Sequence, residues 1–194
     1  MRSTLRIVAL TAIALGMLTG TASAEQERYL FDKDHTNILF FVNHLGFSMM
    51  KGKFHEYDGE FIFNREDPGR SSVDVTIATA SVDTDHDGLN AHLRTADFFD
   101  TATHPTMSFK STAIERTGQN TALITGDFTM LGVTQPVTLD VTFNKADVHP
   151  VNGKYIAGFS GGTTIKRSDY GMTYGVPGIG DEVQVMLEVE GIRQ

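Results

Sequence analysis

Leu93-Arg94-Thr95-Ala96-Asp97-Phe98-Phe99-Asp100-Thr101-Ala102-Thr103-His104-Pro105-Thr106-Met107-Ser108-Phe109 is the stretch where the pattern of the chain changes. On either side of it, apolar residues recur at every second position. Here a polar, helix-compatible run meets a Phe-Phe pair, and Pro105 marks a turn into a new alternating strand. From Gly88 to Phe98, Leu89, His92, Leu93 and Ala96 fall at i, i+3, i+4 and i+7, which predicts the one good helix of the chain. Asp85 or Asp87 is placed to cap its start.

Working outward, the strands follow from period-2 patterning. Over Thr36 to His44, Ile38, Phe40, Val42 and His44 share one face, and Asn37, Leu39, Phe41 and Asn43 the other. Both faces are partly apolar, so cover on both sides is expected. Gly52 to Phe63 carries Phe54 in one register and Tyr57, Gly59, Phe61 and Phe63 in the other, which predicts a bulge or bend near His55-Glu56. Asp67-Pro68-Gly69 reads as a turn, and Val73, Val75 and Ile77 as a third strand. Beyond the Phe-Phe stretch come Met107 to Ala113, Ala122 to Met130, Val137 to Phe143, a Gly-rich run from Tyr155 to Ile165, and Val183 to Val189. The turn from Leu131 to Pro136 joins two of them as a hairpin. About eight antiparallel strands with one helical interruption indicate an all-β, closed or nearly closed barrel. Such a barrel is either filled by side chains or holds one small ligand.

Met1 to Ala24 is read as a cleaved signal peptide. Arg2 and Arg6 precede an apolar run from Leu5 to Leu18, and Ala22-Ser23-Ala24 is a small-x-small site. The apolar run is too short for a convincing membrane span. Residues 25–194 then form one domain, long enough to bury a core. Losing the two arginines takes the formal net charge from −8 to −10. An acidic chain without a basic stripe argues against nucleic acid as a partner, and no Lys/Arg block grips anionic lipid. With no cysteine there is neither a disulfide nor a thiolate nucleophile or metal ligand. The expected compartment is the bacterial periplasm or the cell exterior, and a eukaryotic secretory route stands beside it.

His35, His44, His55, His86, His92, His104 and His149 raise a metal hypothesis, but none forms an HExxH or a tight His-x-His pair. Asp83, Asp85, Asp87 and Gly88 resemble the start of a calcium loop, whose twelfth position here is Arg94 where a Glu is required. No Gly-x-Ser-x-Gly elbow is present, and no pair of carboxylates stands out for acid–base work. Catalysis is therefore the weaker class, and no cofactor is expected. What remains is the apolar interior of Phe-, Val- and Met-rich strands. Composition alone does not separate an open slot from a packed core.

Four ordered motifs carry a resemblance to a known family. The first joins Asp32, His35 and Thr36 to Phe40, Val42 and His44, then Gly52 and Phe54. The second is His92 to Asp100, followed by Pro105, Phe109, Lys110 and Ser111. The third runs from Gly126 to Val137, and the fourth is Arg167 to Gly171, before a last strand that follows Asp181-Glu182. By these, the chain from about Phe31 to Glu190 resembles the YceI family of exported, lipocalin-like proteins that bind polyisoprenoids or related lipids. One departure is Asn90, where the family usually has an acid.

The resemblance implies an eight-stranded antiparallel lipocalin-like barrel, a short helix closing one end, an elongated apolar pocket, and often a homodimer. It makes the chain a periplasmic carrier of a polyisoprenoid or similar long-chain amphiphile, without stable membrane insertion. The expected pocket lining is Phe40, Val42, Phe54, Phe98, Phe99, Met107, Phe109, Phe128 and Met130. His44, Arg94 and Arg167 are candidates for the ligand's polar end. Arg94 and Arg167 are equally placed for internal ion pairs with Asp97 or Asp169. Two alternatives stand beside this reading: a histidine-based metal- or haem-handling protein, and a stress-related structural or interaction protein. In the latter, Leu39 and Phe41 mark a dimer or partner face.

Overall fold

The computed structural model describes residues 26–194; the expected signal peptide lies outside the described residues. The strands are β1 (Glu27–Phe31), β2 (Asn37–His44), β3 (Ser48–Phe54), β4 (Tyr57–Phe63), β5 (Ser72–Ala78) and β6 (Val82–Asp83). After helix α1 (Asp87–Leu93) come β7 (Thr106–Arg116), β8 (Thr121–Met130), β9 (Val133–Val148), β10 (Tyr155–Lys166) and β11 (Ile179–Arg193). Every pairing is antiparallel. The order β1-β4-β5-β7-β8-β9-β10-β11 returns to β1, so the sheet closes into an eight-stranded barrel.

β2, β3 and β6 extend three of these strands rather than adding new ones. β11 pairs with β1 through Gly191 to Arg193 and with β2 through Ile179 to Glu188, so β1 and β2 are one barrel strand bent at 32–36. β3 and β4 are the next, bent at His55-Glu56 where the switch of register required it. The break lets Phe54 and Tyr57 both turn inward and become buried. β5 and β6 are the third, bent through a 3-10 turn at Thr79–Ser81. β1 is absent from the sequence reading, being short and ending where the alternation of β2 has not begun. The hairpin turn after β8 is only Leu131-Gly132, both at positive φ, and Pro136 lies within β9.

The bends are stitched to one another by hydrogen bonds that replace the interrupted ladder. The Asp32 amide donates to the Glu190 carbonyl at 2.8 Å. Thr36 Oγ1 donates to that carbonyl at 3.2 Å and accepts from the Glu190 amide at 3.1 Å. Tyr57 hydroxyl donates to the Thr36 carbonyl at 2.7 Å. At the third bend, buried Thr79 donates from its amide to Pro105 and from Oγ1 to His104, at 3.0 and 2.7 Å. Backbone groups freed by a bend thus stay satisfied.

The helix is shorter than its periodicity suggests. It ends at Leu93, and the chain turns tightly from Thr95 to Asp100, where the Phe99 amide donates to the Leu93 carbonyl at 3.0 Å. Thr95 Oγ1 donates to the His92 carbonyl at 2.8 Å, competing with helix continuation. The cap also differs from expectation: His86 Nδ1 accepts from the Leu89 amide at 3.1 Å, and neither Asp85 nor Asp87 caps. Asp83 instead accepts from the Asp85 amide and from Asn90 Nδ2, both at 2.9 Å. Asn90 is buried, and its Oδ1 accepts from the amide and hydroxyl of Thr84, each at 2.7 Å. The departure from the family pattern therefore supplies a donor to Asp83 that a carboxylate lacks. His55 first, then the Asp85 amide and Asn90, hold the Asp83 carboxyl well below the usual carboxylate range.

Two predictions follow from these bonds. Asn90→Asp sets two carboxylates against each other and lowers unfolding free energy by about 2 kcal/mol at neutral pH. Urea denaturation measures this, and the loss shrinks toward about pH 4 as one carboxyl protonates. At the first bend, His35 Nδ1 lies 2.9 Å from Asp32 Oδ2, and the bond from Asp32 raises the His35 pKa. A raised folded-state pKa gives stability that is full below the unfolded value of 6.5 and is lost as pH rises through the folded value. Thermal melts from about pH 6 to pH 9 therefore show a decline in the parent that is flatter in His35→Gln.

Candidate functional site: the lumen of the barrel

The inward residues of β8, β9 and β11 do not fill the barrel. Ile124, Val137, Leu139, Val141, Val183, Val185 and Leu187 point inward by the period-2 rule yet stay only half-buried. In a packed interior such side chains have no accessible surface left. They border instead a cavity of about 940 Å³. That lies near the upper end of the roughly 300–1,000 Å³ of small-molecule sites. Its wall is overwhelmingly apolar and runs from α1 at one end to the β4–β5 and β7–β8 turns at the other.

Glycines keep the bore open. Phe40 pairs across the sheet with Gly52, and its ring lies so flat on that residue that a Cβ there would come within 2.1 Å of the ring. The Phe109 ring lies on Gly126 in the same manner, at 2.5 Å. A ring that lies along the wall leaves the centre free; a ring displaced from it points across.

The lid is the stretch from Leu93 to Phe99, at the end of α1 and the turn that follows it. Leu93, Phe98 and Phe99 are buried. Phe99 packs edge-on to Phe54 with centroids 5.5 Å apart, and also against Phe40 at 6.5 Å. Phe98 packs between His92 and Tyr174, at 4.9 and 5.3 Å. The cavity reaches the surface beside the lid, where the lining residues His44, Met50, His86 and Tyr174 are exposed.

The structure brings the predicted apolar residues together. Phe40, Val42, Phe54, Phe98 and Phe99 line the cavity on the lid side, and Met107, Phe109, Phe128 and Met130 line the wall formed by β7 and β8. His44 stands at the opening and Arg167 in the lining. Arg94 is a correction. It is exposed and away from the cavity, donating from Nε to the Ala80 carbonyl at 2.8 Å and from Nη2 to the Val82 carbonyl at 3.1 Å. It anchors the lid to the third bend because that bend leaves carbonyls without ladder partners. Its expected partner Asp97 pairs with His92 at 3.0 Å.

Arg167 likewise makes no ion pair with Asp169. It is 2% exposed and donates to the carbonyls of Gly180, Ile179 and Met172, at 2.8, 3.0 and 3.1 Å. Burial lowers its pKa and the nearby Asp181 opposes this, but a guanidinium stays charged. Three of its five N–H groups are thus used. The lining also includes Val137, Leu139, Val185, Leu187 and Met172, which the sequence analysis does not nominate. The alternation in β9 and β11 was signal enough for the first four. Leu39 and Phe41 lie half-buried on the face opposite to Phe40, where Leu39 pairs with Met186.

The histidines do not converge. Among the described residues, only His35 comes together with two carboxylates, Asp32 and Glu190, within 4.8 Å. Its Nδ1 is already engaged by Asp32 in the first bend. His55 bonds Asp83, His92 bonds Asp97, and His86 caps α1.

Comparison with known proteins agrees with this geometry. The YceI-like domain family matches residues 29–191. A UPF0312 protein of Azotobacter vinelandii is 41% identical over 188 residues, covering 95% of this chain and 97% of its own. The UPF0312 protein PA0423 of Pseudomonas aeruginosa is similar to the same degree, at 41% identity and the same coverage. Among solved structures, the Campylobacter jejuni YceI protein superposes with a TM-score of 0.70 at 30% identity, over 78% of this chain and 90% of its own. BcnA of Burkholderia cenocepacia has the same fold, with a TM-score of 0.76 at 24% identity over 82% of this chain and 98% of its own. So does a polyisoprenoid binding domain from Saccharophagus degradans, at 0.66 and 14% identity over 88% and 100%.

The bore can be tested through its glycines. Gly52→Ala drives the Phe40 ring into the lumen and weakens uptake of an apolar fluorescent dye by about tenfold. Gly52→Ala combined with Phe40→Leu restores it. Titration of the dye, with circular dichroism as the folding control, measures both.

Proposed function

Since the chain belongs to the YceI family and its barrel encloses a long apolar cavity, we propose that it binds and carries a polyisoprenoid or similar long-chain amphiphile. The observation that carries this reading is the half-exposed inner wall, because side chains selected only to pack leave no such space. The drive is removal of hydrocarbon from water, about 0.8 kcal/mol for each methylene-sized group. The wall offers few polar groups to select a ligand by hydrogen bonding, so selection is by length, width and flexibility. For the polar end, His44 stands at the opening, and Arg167 keeps N–H groups beyond those given to carbonyls. The likeness in fold to the polyisoprenoid binding domain from Saccharophagus degradans supports the ligand class.

The protein on this reading is a binding protein rather than an enzyme, acting in the periplasm. The basic start, apolar run and Ala22-Ser23-Ala24 support export. No helix among the described residues is long and apolar enough to cross a membrane.

Organic extraction of protein purified from its native host, followed by mass spectrometry, is expected to release a long-chain lipid. In vitro, affinity for a series of prenyl alcohols rises with chain length and then levels off once the lumen is full. An intact mass without ligand, together with no uptake of any member of the series, overturns the proposal.

A further inference from the structure

The rim of the cavity is chemically unlike the rest of the molecule. The full chain has 24 acidic against 16 basic residues, yet neither Thr36 to Met50 nor Tyr170 to Gly180 contains a single Asp, Glu, Lys or Arg. The fold sets these two uncharged stretches side by side. The Leu45 amide at the β2–β3 hairpin tip donates to the Gly178 carbonyl at 2.9 Å, and His44 pairs with Ile179. The tip turns on Leu45 and Gly46, both at positive φ, which thrusts Phe47 outward.

Phe47 is 88% exposed and Leu45 55%, and Tyr174 and Val176 extend the apolar surface from the adjoining loop. A monomeric soluble protein seldom spends so much hydrocarbon on water at one place. Met50 and Tyr174 belong to both this surface and the cavity lining, so the patch runs without interruption into the lumen. Charges stand back from it: Asp85, paired with Lys51 at 3.4 Å, and Asp87, Asp97 and Arg94 flank the lid, exposed.

We propose that the β2–β3 tip and the Tyr174–Val176 loop dock the barrel, opening first, on the surface of a lipid bilayer. The occupant is a membrane because the patch is aromatic and aliphatic, uncharged, and continuous with an apolar lumen. An amphipathic ring such as Tyr174 suits the interface, and Phe47 and Leu45 enter the acyl boundary. A protein partner would be expected to meet polar or charged groups at the rim of its footprint. The acids around it, Asp85, Asp87 and Asp97, outnumber the cations Lys51 and Arg94, so the preferred surface is zwitterionic rather than anionic. The proposal rests on the lipid-carrier reading for its purpose, ligand exchange with the bilayer, and not for the docking itself.

Vesicle flotation tests it. The purified protein should rise with phosphatidylcholine vesicles, and less so as phosphatidylglycerol is added at low salt. Leu45→Asn with Phe47→Ser keeps the left-handed tip conformation available and should lower the vesicle partition coefficient by at least about tenfold. Tyr174→Ser with Val176→Ser probes the second stretch independently and should also lower it. Uptake of a detergent-solubilised prenyl alcohol is measured on the Leu45→Asn, Phe47→Ser variant, whose changes lie outside the cavity lining, and should be unchanged. A parent that never floats, or variants that float as the parent does, overturn the docking while leaving the carrier reading to its own test. Flotation without any prenyl uptake supports docking and counts against the carrier reading. If the parent does not float but sediments as a dimer that the tip variants dissociate, the surface joins two copies of the chain and the proposal fails.

Discussion

Everything in this barrel depends on β11 holding two strand segments at once. Its first half pairs with β2 and its last residues with β1, while the chain between them turns through Asp32 to Thr36. A gap of that kind leaves ladder groups open, and Thr36 fills it by exchanging hydrogen bonds with Glu190. The same constraint propagates to the neighbours. Once the first strand bends, the second and third must bend beside it to keep their pairing, and Tyr57, Thr79 and Arg94 serve the carbonyls thereby displaced. The lid is fixed to this corner, so the shape of the opening follows from the way the wall was bent.

The lumen is a consequence of what the wall omits. Rings lie on glycines at Gly52 and Gly126, and the inward valines and leucines of β9 and β11 border the cavity only half-buried. The rings nearest the lid, Phe54 and Phe99, instead pack on each other and give that end a buried cluster. The barrel is thus part core and part container. Stability resides in the first, and capacity in the second.

Much of this was legible in the sequence. The alternation of Ala122 to Met130, Val137 to Phe143 and Val183 to Val189 gave the strands and their inward faces, because period 2 is imposed by the backbone itself. The conflict between Phe54 and Tyr57 located a bend because both residues demanded burial. What stayed hidden needed register or partners. Alternation is the same for a filled and an empty barrel, so the void was not readable. The Phe40–Gly52 contact needed the pairing of β2 with β3. The role of Arg94 is not legible in its neighbours, since Asp97 lies close in sequence whereas the partners of Arg94 are carbonyls exposed by a bend 12 to 14 residues upstream. The apolar spacing runs on to Ala96, but the helix ends at Leu93 because Thr95 turns the chain away.

The seam between the ends of the chain bears on how such a wall assembles. The other neighbouring strands follow one another along the chain, through turns or, from β5 to β7, through the third bend, α1 and the lid, so their contacts can form with less loss of chain freedom. The Thr36–Glu190 contact spans 154 residues and must wait for the last strand. During synthesis β1 and β2 therefore present an unpaired edge, with Phe40 and Phe41 beside it, until β11 arrives. An open edge of that kind recruits other strands. The molecule is thus most exposed to aggregation just before completion, and the final strand works as the fastener that ends that hazard.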